Sequence, residues 1–144
     1  MNLLGEYRHT LDSKNRLFIP AKFREILGDE FVVTRKTDTC LAIYPPEKWK
    51  ALSDKLNSFP DSKVGPIKRF IFSKSESCTP DSNGRIVLKP DHLKHAGVSP
   101  DEDKACVIVG MGDHAEIWSA SLYEAQEASI NMDDMKSMLL ELGL

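Results

Sequence analysis

Residues 12–19 read DSKNRLFI, and residues 81–88 read DSNGRIVL. The two stretches share the pattern D-S-x-x-R followed by three apolar residues, and they start 81 − 12 = 69 positions apart. A pattern that recurs in this way indicates that one supersecondary unit occurs twice in the chain. This repeat is the feature of the sequence that determines the predicted fold.

The repeat extends downstream of the motif. FVV at 31–33 corresponds to ACV at 105–107, and IY at 43–44 corresponds to IW at 117–118, with a separation of 105 − 31 = 74. Each copy predicts the element order β-β-α-β-β-α, since strand-like and helix-like apolar patterns alternate between turn residues. We therefore expect a mostly β protein with short helices, in the α+β class.

The length of one copy determines the predicted domain organisation. A copy of about 45 residues is near the size below which a segment cannot form an adequate core. The two copies should therefore pack together as an intramolecular pseudo-dimer. Pro60, Gly65 and Pro66 are expected to break regular structure between them. The prediction is a first module over 1–56, a linker over 57–72, a second module over 73–125 and a C-terminal helical segment over 126–144.

The composition is that of a globular protein, with 28% charged and 41% hydrophobic residues among 144. No apolar run approaches the ~20 residues of a membrane span, and the N-terminus lacks the pattern of a signal peptide. Cys40, Cys78 and Cys106 are an odd number without a C-x-x-C pair. They favour reduced thiols in the cytoplasm over a disulfide framework or a zinc site.

Charge is unevenly distributed along the chain. Residues 1–75 contain 14 Lys and Arg against 9 Asp and Glu, whereas residues 76–144 contain 5 against 13. A basic half joined to an acidic half suggests that one face of the protein meets a polyanion. The alternative explanation is that charged residues on a solvent-exposed surface are unevenly distributed by chance.

The D-x-x-x-R motif predicts a tight turn with a pre-organised arginine. Its Asp can cap the turn while the Arg four residues later pairs with that carboxylate and keeps donors for a phosphate or a base edge. The alternative is a capped hairpin with a surface salt bridge that contributes only ~0–1 kcal/mol. Lys14 and Arg16 belong to the first turn, whereas Asn83 stands where Lys14 would be in the second. Polyanion binding is therefore expected mainly from the first copy.

At these residues the sequence resembles the MraZ family of bacterial regulators. The resemblance rests on LDSKNRLFIP, CLAIYPPEKW and PDSNGRIVL followed by AEIW, and it runs from about Gly5 to Trp118. It implies tandem AbrB-like swapped-hairpin β-barrel modules and a ring-shaped homo-oligomer, with an octamer as the candidate size. It also implies a transcriptional regulator, usually an autorepressor, that binds short direct repeats of double-stranded DNA upstream of a division and cell-wall gene cluster. Such a protein would be cytoplasmic and associated with the nucleoid.

The resemblance carries over residue by residue. The first motif gives Asp12 and Arg16, and the second gives Asp81 and Arg85. Asn15 departs from the glycine usual at that position, a mild change because Asn accepts φ > 0. The residues expected to bind DNA are Arg8, Lys14, Asn15 and Arg16. Those expected to shape or cap the turns are Asp12, Asp81, Asn83, Gly84 and Arg85.

Other classes of function compete with DNA binding. An AbrB-like antitoxin, or another protein-binding module, could use the C-terminal segment to hold a partner. No constellation of catalytic residues appears, and no enzyme activity, cofactor, metal or small-molecule ligand is predicted. His92 and His95 could share one helix face, but no Cys or carboxylate pattern completes a metal site around them.

Overall fold

The computed structural model describes residues 2–144, which form eight strands and six helices. The strands are β1 Glu6–Thr10, β2 Arg16–Phe18, β3 Phe31–Arg35, β4 Leu41–Tyr44, β5 Glu76–Cys78, β6 Arg85–Val87, β7 Ala105–Gly110 and β8 Ala115–Ser119. The helices are α1 Ala21–Leu27, α2 Pro46–Asn57, α3 Asp61–Phe72, α4 Pro90–Ala96, α5 Ala120–Ala128 and α6 Met132–Glu141. The expected α+β class is confirmed.

Six strands form one antiparallel sheet in the order β1-β7-β8-β4-β3-β5, and β2 pairs with β6 in a second, two-stranded sheet. Both halves of the chain contribute to each sheet. The counterparts in the two halves are β1 and β5, β3 and β7, and β4 and β8. Exchanging each strand for its counterpart gives the same order, read from the opposite edge of the sheet. The two halves are therefore interleaved in one structure with a common core.

The expected closed barrel is wrong. Within residues 2–144 the large sheet is open, and β1 and β5 lie at its two edges. The reason is the direction that the chain takes at each motif. After the turns at Asp12 and Asp81 the chain leaves the large sheet, so that β2 and β6 pair with each other and do not continue the sheet towards closure.

The two-stranded sheet brings the repeats together at their motifs. Leu17 faces Ile86 at its centre, and both side chains are buried. On either side, the backbone N–H of Ile19 donates to the carbonyl of Gly84, and that of Leu88 donates to the carbonyl of Asn15, both at 2.9 Å. The two motif turns consequently lie at opposite ends of one short ladder.

The strand register corrects the alignment of the repeats by one residue. His9 pairs with Cys106, whereas Cys78 pairs with Phe31. His9 and Cys78 each precede their motif aspartate by three positions, so Phe31 corresponds to Cys106 and not to Ala105. Burial explains the shift, because Phe31 and Cys106 are buried and Ala105 is exposed.

Most of the segment predicted as a linker is helical, and the expected break of regular structure at Gly65 and Pro66 is wrong. Helix α3 runs through Gly65 and Pro66. Tertiary contacts outweigh the local preference: the Arg35 guanidinium donates to the Phe70 carbonyl at 2.8 Å, and the Thr34 hydroxyl donates to the Ile71 carbonyl at 3.0 Å. These bonds fix the end of α3 against β3.

Two further details of the helices concern a cap and an exposed side chain. Helix α5 begins at Ala120 and is capped by the Ser119 hydroxyl, which accepts from the backbone N–H of Leu122 at 3.2 Å. The capping residue is thus Ser119. Ile67 is 48% exposed on the outer face of α3.

Candidate nucleic-acid interface

The first motif turn is held together by one carboxylate. Asp12 Oδ1 accepts from the backbone N–H groups of Lys14 and Arg16, both at 2.9 Å, and Oδ2 accepts from Arg16 Nε at 2.6 Å. Asn15 has φ = 58°, the left-handed conformation that an asparagine tolerates. The predicted cap and ion pair are both present.

The second turn has the same geometry. Asp81 Oδ1 accepts from the N–H groups of Asn83 and Arg85 at 2.9 Å, and Arg85 Nε lies 3.0 Å from Oδ2. Gly84 takes the place of Asn15 with φ = 80°. The pattern D-x-x-x-R thus encodes one turn geometry twice.

The two turns are also connected to each other. Arg85 Nη1 lies 3.5 Å from Asp12 Oδ2, the oxygen that already accepts from Arg16. The side chains of Arg16 and Arg85 are 26% and 27% exposed. Nη1 and Nη2 of Arg16 donate to no other group in residues 2–144, so this guanidinium keeps donors for an external acceptor.

Both motif aspartates are stabilised in their charged form. Desolvation alone would raise the pKa of Asp12, but hydrogen bonds from the Arg16 and Lys14 N–H groups and from the Arg16 guanidinium hold it below its usual value. The Arg85 N–H is the main cause of the lowered pKa of Asp81. Each aspartate therefore stays ionised at neutral pH and fixes the orientation of its arginine.

A third arginine, from α1, lies against the second turn. A Cβ atom on Gly84 would lie only 2.7 Å from Arg24 Cζ. Arg24 is held there by its Nε, which donates to the Ile19 carbonyl at 2.9 Å, and its guanidinium is 5.5 Å from the centre of the Phe18 ring. Asn15 has a side chain at the position where Gly84 leaves room for Arg24.

Comparisons with known proteins identify the family of the chain. The model of the family described as "MraZ protein, putative antitoxin-like" matches residues 3–65 and 71–139. The chain belongs to the MraZ family. It is 43% identical to the transcriptional regulator MraZ of Ligilactobacillus salivarius, 39% to that of Pediococcus pentosaceus and 37% to that of Clostridium tetani. Each alignment covers 98% of this chain and 99% of the relative.

In this MraZ-family chain one of the residues expected to bind DNA, Arg8, lies outside the motif turns. Arg8 belongs to edge strand β1, where its Nη1 donates to Glu124 of α5 at 3.0 Å and its Nη2 lies 4.0 Å from Glu6. Tyr123 reinforces this contact, since its hydroxyl donates to Glu6 at 2.6 Å. Arg8 thus fastens β1 to α5, whereas Lys14, Asn15 and Arg16 share one turn.

Sequence reasoning missed a polar network around β8. Glu116 is 5% exposed; its Oε2 accepts from Lys36 Nζ at 2.6 Å and its Oε1 accepts from Trp118 Nε1 at 2.9 Å. Hydrogen bonding to Glu116 outweighs desolvation and raises the pKa of Lys36. Burial beside this carboxylate raises the pKa of the Cys40 thiol to about 12, so that the thiol is inert at neutral pH. The network has a structural role. In the sequence its only signal was the AEIW stretch, which contains Glu116 and Trp118.

The remaining candidate groups do not form a site. His92 bonds the Lys74 carbonyl and His95 bonds the Lys36 carbonyl, so the two rings serve different partners. Among the residues that the structure describes, no group of three or more His, Cys, Asp or Glu side chains could hold a metal. No helix in this part of the chain is long and apolar enough to cross a membrane.

Proposed function

We propose that the protein is a transcriptional regulator that binds DNA through its paired D-x-x-x-R turns. The observation that carries this proposal is the contact of Arg85 with Asp12, which holds both motif arginines on one surface beside the exposed Lys14. The names of the relatives support the regulatory role.

The charges at the turns divide the work between residues. Asp12 and Asp81 neutralise Arg16 and Arg85, so these four side chains have no net charge. Lys14 and Arg24 form no ion pair within residues 2–144 and supply the attraction for phosphates. Arg16 contributes oriented donors, which suit the O6 and N7 atoms of guanine or a phosphate. Phosphate contacts thus come from Lys14 and Arg24, and sequence reading comes from Arg16.

We further infer that the halves are tandem swapped-hairpin modules assembled into a ring-shaped homo-oligomer, with an octamer as the candidate size. The symmetric strand order supports the first statement, since β1 and β5 each pair with a strand of the other half. The open edges of the sheet support the second, because closed assembly covers such edges. The ring would bind direct repeats upstream of a division and cell-wall gene cluster, in the cytoplasm at the nucleoid, as an autorepressor.

The test is binding of the full chain to the DNA upstream of its own gene, measured by fluorescence anisotropy at two salt concentrations. A shuffled fragment of equal length and composition serves as the control. We expect affinity for the upstream DNA at least 10³-fold above the control, the lower end for specific regulators. Equal affinity for both fragments would overturn the proposal.

A protein-binding role in the manner of an antitoxin is the second candidate. It is favoured by residues 124–144, which are exposed throughout, and by the antitoxin-like description of the family. A variant that ends at residue 129 tests whether the exposed C-terminal segment takes part in DNA binding. If single-repeat DNA binding survives this truncation, the turns are the DNA site; if it is lost while the fold is retained, the C-terminal segment is the main binding element.

A further inference from the structure

The two motif turns differ at the two positions that precede the arginine. The first turn reads DSKNR and the second reads DSNGR, so Lys14 and Asn15 correspond to Asn83 and Gly84. The aspartate and the arginine of each turn pair with each other. The first turn therefore keeps one positive charge, on Lys14, whereas the second turn has no net charge of its own.

Arg24 brings a positive charge to the second turn from the other half of the chain. It belongs to α1, which follows the first motif, yet its guanidinium lies directly on Gly84. The backbone of Ile19 connects the two residues. Its N–H donates to the Gly84 carbonyl at 2.9 Å, and its carbonyl accepts from Arg24 Nε at 2.9 Å. With Arg24 included, each turn carries one net positive charge.

The terminal nitrogens of Arg24 are available to an external group. Within residues 2–144, neither Nη1 nor Nη2 donates a hydrogen bond, and the guanidinium forms no ion pair. Asp29 and Asp81 border a depression of about 310 Å³ together with Arg24, so the alternative role of Arg24 is to balance these carboxylates. Asp81 is already paired with Arg85, however. Two adjacent N–H donors of a guanidinium suit the oxygens of a phosphate.

The place that Arg24 occupies is open only because residue 84 has no side chain. A Cβ atom on Gly84 would lie 2.7 Å from Arg24 Cζ and 2.9 Å from Nε, far inside the ~3.5–4.0 Å at which carbon atoms pack. The backbone conformation does not by itself require glycine, since Asn15 has φ = 58° where Gly84 has φ = 80°. A side chain at position 84 would therefore displace the flexible guanidinium and leave the turn in place.

We propose that Gly84 is a positioning residue for DNA binding, because its missing side chain lets Arg24 serve the second turn as Lys14 serves the first. Each turn then has one cation for a phosphate, which comes from the loop itself in the first turn and from α1 in the second. Gly84 acts through Arg24 and does not touch the DNA. The inference rests on the proposed DNA-binding function and defines how the second turn takes part in it.

A double-mutant cycle between Gly84 and Arg24 tests the proposal. Fluorescence anisotropy at three salt concentrations measures binding of the full chain to its own upstream DNA and to a shuffled fragment. Gly84→Asn should reduce the magnitude of the slope of log K against log salt by roughly 0.9 for each protomer bound. The ratio of the two affinities should not change, because a phosphate contact is independent of sequence. Arg24→Ala, which leaves the backbone of the turn untouched, should give the same reduction, and Gly84→Asn should add nothing to it.

A swap between the repeats supplies the rescue. Asn83→Lys combined with Gly84→Asn gives the second turn the sequence of the first, and its own lysine should restore the lost slope. Lys50→Ala is the control for net charge, since Lys50 pairs with Asp54 on α2, and it should leave the slope unchanged. Urea unfolding of every variant establishes that the fold is retained.

Three results would overturn the positioning role of Gly84. They are an unchanged slope in Gly84→Asn, a further loss of slope when it is combined with Arg24→Ala, and a lower ratio of specific to control affinity in the folded variant. The last result would show that the turn itself had changed. A wild type that binds both fragments equally would instead refute the DNA-binding function.

Discussion

Arg85 Nη1 lies 3.5 Å from Asp12 Oδ2, although the two residues belong to different copies of the repeat. The same oxygen accepts from Arg16 Nε at 2.6 Å. One carboxylate thus binds both motif arginines, whereas within residues 2–144 Asp81 binds only the arginine of its own turn. The repeats are alike in sequence, but Asp12 and Asp81 have different structural roles.

Arg16→Ala should weaken specific DNA binding more than Arg85→Ala. Arg16 bonds Asp12 through Nε and keeps its two terminal nitrogens available, in the turn that also contains Lys14. One terminal nitrogen of Arg85 instead lies against Asp12. We expect Arg16→Ala to cost about 1–3 kcal/mol of specific binding, the range of a good base contact. Arg85→Ala should chiefly lower stability or assembly. Anisotropy titrations on the operator measure the first effect, and equal losses in two folded, assembled variants would contradict the asymmetry.

Asp12→Asn should destabilise the fold more than Asp81→Asn. In both variants the asparagine side-chain oxygen can still accept from the backbone N–H groups of the turn. Only Asp12→Asn removes a charge that holds two guanidinium groups. Urea unfolding at pH 7 should show the lower midpoint for Asp12→Asn. The pKa of Asp12 is lowered by folding, so its contribution is complete above the ordinary value of 3.8 and is lost as the pH falls below it. Midpoints that differ equally at pH 7 and in strong acid would show that charge is not the cause.

Lys36→Ala should lower the free energy of unfolding more than the loss of a well-exposed lysine does. It would leave the buried Glu116 carboxylate with Trp118 Nε1 as its remaining close donor. Removing one partner of a buried pair costs about 3 kcal/mol. Lys50→Ala is the matched control, since Lys50 and Asp54 form an equally short but well-exposed pair and should change the unfolding midpoint little. Similar midpoints for the two variants would show that the Glu116 network contributes no more than a surface pair.

The sequence allowed the motif turns to be predicted because their determinants are local. An aspartate that caps its own turn, and an asparagine or glycine at φ > 0, depend on residues within five positions. The α3 helix and the Asp12–Arg85 contact depend on tertiary partners. Gly65 and Pro66 argue against a helix unless Arg35 fixes its end, and Arg35 is 30 positions earlier in the chain.

DNA binding should strengthen with the number of direct repeats, and its salt dependence should steepen. The surface of the motif turns offers, in each protomer, the cations Lys14 and Arg24, which pair with no aspartate or glutamate within residues 2–144. Since each neutralised phosphate adds roughly −0.9 to the slope of log K against log salt, a single repeat should give a slope of about −2. A ring presents the same turns again at a fixed spacing, and turns about 10–10.5 bp apart meet the same face of the helix. Titrations on operators with one to four repeats at three salt concentrations measure both quantities. If one repeat binds as tightly as four and with the same slope, neighbouring protomers do not act together on the DNA.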